Sequence, residues 1–123
     1  MTDALHILDE ALAELGLKYA FMRWDDEVKY PYMVGFYDEI ETNSEDGQSK
    51  YEFTIEIFHR GTFLDLEKIK EKVKQYFTKD GRIWNVKNNA VVISYERALL
   101  IEQDDPELKR MNIYLMIKKW EVE

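Results

Sequence analysis

From Tyr51 to Phe58 the chain alternates without a break. Tyr51, Phe53, Ile55 and Ile57 fall on one side of an extended backbone; Glu52, Thr54, Glu56 and Phe58 fall on the other. A period of two residues is the signature of a strand with one face on a core and the other mostly polar. A strand of this kind belongs in a sheet that is covered on one side. The residues that follow supply the cover. Gly61 breaks the strand, and Thr62-Phe63-Leu64-Asp65 has the spacing of a capping box. Leu66, Ile69, Val73, Tyr76 and Phe77 then form a helical apolar stripe that stops at Asp80-Gly81.

The other segments extend this pattern. Thr2 to Leu15 reads as a helix: Leu5, Leu8, Leu12 and Leu15 recur at helical spacing beside Ala4 and Ala11, with Thr2 as N-cap and Gly16 as stop. Tyr19 to Trp24 reads as a short aromatic strand, followed by the charged turn Asp25-Asp26-Glu27. Pro31 opens a strand that continues from Tyr32 to Ile40, where a missing N–H does least harm. The segment from Glu41 to Lys50 reads as a solvated loop, longer than a hairpin needs. Ile83 to Val86, Ala90 to about Ile101, and Asn112 to Glu121 complete the strands, with turns at Lys87-Asn88-Asn89 and at Glu102 to Glu107. The expected fold is α+β, in the order α-β-β-β-α-β-β-β. It is a single, mostly antiparallel sheet with two helices packed on one face, forming one domain over residues 1–123.

Composition narrows the function classes. There is no cysteine, which excludes disulfides and thiolate metal sites. No apolar run approaches the ~20 residues of a membrane-spanning helix. The start Met1-Thr2-Asp3-Ala4 lacks the basic opening of a secretory signal, so the expectation is a protein that is cytoplasmic when made, with no membrane partner. The net charge is -8, and the surplus is uneven: 12 acidic and 4 basic residues through Lys50, then 13 of each sign. Such a chain is poorly suited to gripping phosphate backbones, which takes clustered Lys and Arg.

Reactive constellations are thin. His6 and His59, the two histidines, have no partners at ligand spacing and read as structural or surface residues. Glu52 and Glu56 share a strand face but lie about 13 Å apart along it. Asp104, Asp105 and Glu107 lack the alternation and glycine of a calcium loop. Ser44, Ser49 and Ser94 lack the surroundings of a nucleophile elbow. The five glycines form no phosphate-binding pattern. The Glu-Lys run of the second helix, Glu67 to Lys74, is that of an exposed, self-paired face. No cofactor, metal or catalytic residue is expected.

Contact surface is the stronger candidate. Phe58, Tyr114, Met116 and Trp120 alternate opposite to the core-facing residues of their strands. Either they form a minor core under a loop or they meet another subunit, where aromatics and Met are enriched. The candidate interface residues are Glu52, Thr54, Glu56, Phe58, Tyr114, Met116 and Trp120, with Glu45 and Asp46 in the acidic loop.

Three stretches carry a resemblance to a known family. They are Tyr30-Pro31-Tyr32-Met33-Val34 leading to the long acidic loop, Tyr51 to Phe58, and the acidic loop Glu102 to Glu107 before Arg110-Met111-Asn112-Ile113-Tyr114-Leu115-Met116-Ile117. With the element order, they resemble the tail terminator (tail-completion) proteins of long-tailed bacteriophages. The resemblance implies a homo-oligomeric ring, commonly a hexamer. Such a ring caps the tail tube, ends its polymerisation and meets the head connector, and DNA passes through without specific binding. It also implies assembly in a bacterial host's cytoplasm, residence in the virion tail, and no catalytic residues. On this view Glu45 and Asp46 face the channel and repel DNA phosphates. The alternatives are another head–tail neck adaptor, an acidic cytoplasmic binding or inhibitor protein, and a small hydrolase with a divalent metal at Asp104–Glu107.

Overall fold

A computed structural model describes residues 2–17, 19–22, 29–41, 47–86 and 88–121. The elements run α1 (Thr2–Glu14), β1 (Tyr19–Phe21), β2 (Tyr32–Glu41), β3 (Gln48–His59), α2 (Phe63–Phe77), β4 (Arg82–Val86), β5 (Asn89–Ile101) and β6 (Lys109–Glu121). The expected order of helices and strands is the one observed. The expected strand at Tyr19 to Trp24 is described only as far as Met22. Trp24, the charged turn at Asp25–Glu27 and the loop residues Thr42–Asp46 lie outside the described residues.

All six strands form one sheet, in the order β1-β2-β3-β6-β5-β4. Every neighbouring pair is antiparallel except β1 and β2, which run parallel with Tyr19 opposite Met33. One side of the sheet carries the core. Phe53, Ile55 and Ile57 of β3 join Ile113, Leu115 and Ile117 of β6 and Val91 and Ile93 of β5, all fully or almost fully buried. Both helices close over this side through Ala4, Ile7, Leu8, Ala11 and Leu12 of α1 and Leu66, Ile69, Val73 and Phe77 of α2. The buried stripe of α1 is rotated slightly from the leucine spacing: Ile7 is buried, whereas Leu5 and Leu15 are half-buried at its margin.

The helix ends are fixed by local chemistry. Leu17 N donates to Leu12 O at 2.8 Å and Gly16 N to Ala13 O at 3.0 Å, with Gly16 at φ +75°; this pair of bonds is the Schellman closure of α1. At α2, Asp65 N donates to Thr62 Oγ1 and Thr62 N donates to Asp65 Oδ2, both at 3.2 Å, which completes the capping box. His59 donates from Nε2 to the same carboxylate oxygen at 2.8 Å, so the end of β3 is tied to the start of α2. The His59 bond first, and the Thr62 N–H second, hold the Asp65 carboxyl below its usual range. Thr62→Ala is expected to cost about 1 kcal/mol of stability, as for other lost N-caps, read as a fall in urea midpoint with unchanged slope.

Candidate functional site

The side of the sheet away from the helices is the candidate site. β3 presents Lys50, Glu52, Thr54, Glu56 and Phe58 there, and β6 presents Arg110, Asn112, Tyr114, Met116, Lys118 and Trp120. In register across the two strands, Phe58 meets Arg110, Glu56 meets Asn112, Thr54 meets Tyr114, and Glu52 meets Met116. β2 adds Tyr32, Val34 and Phe36 on one flank, opposite Phe58, Glu56 and Thr54. Seven of the nine sequence-predicted interface residues therefore share this face: Glu52, Thr54, Glu56, Phe58, Tyr114, Met116 and Trp120. Glu45 and Asp46 lie outside the described residues.

The face is organised by cations over rings. Arg97 lies over the Tyr114 ring, 3.8 Å from its centroid, and Arg110 lies over Phe58 at 5.3 Å. Phe58 stacks on Tyr32, with centroids 4.9 Å apart. Arg110 forms an ion pair with Glu56 across the β3–β6 register, and its Nε donates to Asn112 Oδ1 at 3.4 Å. Asn112 Nδ2 donates in turn to the Tyr114 hydroxyl at 3.2 Å. Burial first, then Tyr30 and Glu56, pushes the Tyr32 phenol above its usual range.

Sequence reading missed Arg97 and Asn112 as members of the face, and Tyr32, Val34 and Phe36 as its flank. Arg97 was concealed by a bulge. Pairing of β5 with β6 jumps from Tyr95–Leu115 to Arg97–Tyr114, so Glu96 is an extra residue. Alternation therefore changes phase there, and Arg97 and Leu99 fall on the open side.

Two carboxylates meet beside the bulge. Glu96 lies against Glu52; burial, then a hydrogen bond with Glu52 and its charge, raise the Glu96 pKa. A carboxyl raised in the folded state stabilises folding below its unfolded pKa, and that contribution is lost as pH rises through the folded value. Glu96→Gln is thus expected to raise stability at pH 7 by at most about 0.5 kcal/mol after solvent screening. Thermal melts at neutral and at acid pH read this directly, with the gain gone once the carboxyl is protonated in both folded and unfolded chains.

A hollow of about 440 Å³ opens near this point, lined by Lys50, Lys79, Ser94, Tyr95, Glu96, Met116 and Lys118. Farther along β5, β4 ends its pairing at Ile93, and beyond it Leu99, on the open side, and Leu100 are each 47% exposed. Asp105, in the β5–β6 loop, accepts from Glu107 N at 2.9 Å and pairs with Arg60 at 3.1 Å; these contacts, in that order, hold its carboxyl below the usual range. No group of three or more His, Asp or Glu able to hold a metal ion occurs among the described residues. No helix among them is long and apolar enough to cross a membrane.

The fold is similar to that of a virion chain. A chain in the solved virion of the native gene transfer agent particle superposes with a TM-score of 0.62, covering 89% of this chain and 83% of that one, at 12% sequence identity. At this identity the likeness is one of fold. No family model matches the chain, and no curated protein sequence matches it.

Proposed function

We propose that this chain is a structural virion protein of the tail, and that its copies form a ring capping the tail tube. The ring ends tube polymerisation and joins the tube to the head connector, and it carries out no bond-making step. The observation that carries this reading is the one-sided cover of the sheet. Both helices pack on one face, and the other holds an organised array of aromatic, Met, Arg and Glu side chains. Arg and aromatic groups held in place by neighbours lose little freedom on docking and are typical anchors of protein contacts. Similarity of fold to a gene transfer agent virion chain supports a particle context.

In this reading the open face of β3 and β6 meets the neighbouring subunit, and the acidic segment containing Glu45 and Asp46 faces the channel, where it keeps DNA from adhering. The assembly takes place in the bacterial host's cytoplasm, and the ring remains in the virion tail. The test is polymerisation of purified tail tube protein with and without this chain. The expected result is short tubes, each ending in a ring of added density. Tubes that elongate equally in its presence, with bare ends, overturn the capping role.

A further inference from the structure

We propose that neighbouring copies are joined by the β5–β6 loop of one chain docking in the lysine-lined hollow of the next. This inference rests on the ring reading above and specifies its contact. The hollow is a local reversal of charge: in a chain of net charge -8, Lys50, Lys79 and Lys118 surround it, with Glu96 the one acid among the described residues of its lining. Lys50 and Lys118 stand directly opposite each other across β3 and β6. With Lys79 they place several ammonium groups around one opening, a lining that suits an incoming anion.

The complementary group lies at the other end of the same sheet. Glu102, Asp104 and Glu107 are exposed in the loop between β5 and β6. The loop is stiffened from within: Asp105 accepts from Glu107 N, pairs with Arg60, and offers its carbonyl to Leu108 N at 3.0 Å, with Pro106 between them. A loop already held in shape loses little conformational freedom on docking.

Lys109, where the loop ends, is nine residues along β6 from Lys118, or about 30 Å at the usual strand rise. The loop is thus too far from the hollow of its own chain, and the two patches can meet only between copies. Such a contact is heterologous, the kind that closes into a ring when the rotation per copy allows it.

Charge reversal tests this. Asp104→Lys/Glu107→Lys removes the acidic patch and leaves Asp105 and Pro106 to shape the loop; Lys79→Glu/Lys118→Glu reverses the hollow. All four residues lie outside the core, and circular dichroism melts should match wild type. Native mass spectrometry at low salt should show rings for wild type and monomers for each variant alone. An equal mixture of the two should assemble again, with the variants alternating, because the native contact and its charge-reversed counterpart are then both complementary. The quadruple reversal should restore rings. Wild-type rings with both variants still forming rings overturn this contact and leave the ring reading standing. A wild type that stays monomeric, even with tail tubes present, overturns both.

Discussion

Phe53→Ala is expected to remove about 4 kcal/mol of stability, within the usual range for a fully buried phenylalanine. Phe53 is completely buried at the centre of β3 and packs edge-on against Tyr19, with centroids 5.9 Å apart. It also fills the space above Gly35 of β2. A Cβ added at Gly35 would lie 2.6 Å from Phe53 Cζ and 2.9 Å from Tyr19 Cδ2, closer than carbon atoms approach. The three residues act as one joint between β1, β2 and β3. Gly35→Val, which pushes on the same joint from the other side, is expected to cost about 3 kcal/mol through overpacking. Urea unfolding should show both as a lower midpoint with little change in slope. Since domains of this size hold only about 5–15 kcal/mol in all, Gly35→Val/Phe53→Ala should be less damaging than the sum of its parts, as the truncated ring makes room for the valine. Strict additivity would show that the two sites do not share a space.

Arg110→Ala is expected to cost about 2–3 kcal/mol at neutral pH. The Arg110 and Glu56 side chains are only 26% and 19% exposed, so the pair is largely withdrawn from water. Removing the guanidinium leaves the Glu56 carboxylate half-buried without its cation, and removes a cation from the Phe58 face and a bond to Asn112. The cost of truncating one partner of such a pair comes mostly from the charge left behind. Glu56→Met/Arg110→Met should therefore be milder than Arg110→Ala, because no uncompensated charge remains. Double-mutant cycles on dilute protein measure the coupling without interference from self-association. A single-variant cost below about 0.5 kcal/mol would place the pair with ordinary surface salt bridges.

What the sequence made legible was local. The alternation of β3 can be read directly because every core-facing position is apolar and three of the four facing away are polar. The α2 capping box spans four consecutive residues, and Thr62 and Asp65 behave as their spacing predicts. Less visible were strand ends built from polar residues. Gln48, Ser49 and Lys50 belong to β3 rather than to the loop, with Ser49 buried opposite the buried Lys119. No hydropathy pattern marks such a pair. Lys109 and Arg110 extend β6 in the same way. Parallel pairing of β1 with β2, and the approach of Arg97 to Tyr114, depend on residues distant in sequence. At Glu96 the bulge removes the phase information on which alternation depends.

The candidate site was legible as a face before it was legible as a network. Alternation alone placed Phe58, Tyr114, Met116 and Trp120 on one side of the sheet. It could not show that Glu56 is held by Arg110, or that the acid beside Glu52 is Glu96 from another strand rather than Glu56 from its own. Those assignments depend on the β3–β6–β5 register, which only the folded chain fixes.

The proposed working state of this chain is a closed ring of copies joined through their surfaces. Negative-stain electron microscopy of the concentrated protein, alone and with tail tubes, tests it most directly. Rings of one fixed copy number, free in solution or seated at tube ends, are the expected result. Particles that remain single subunits at every concentration, with tube ends unoccupied, would contradict it.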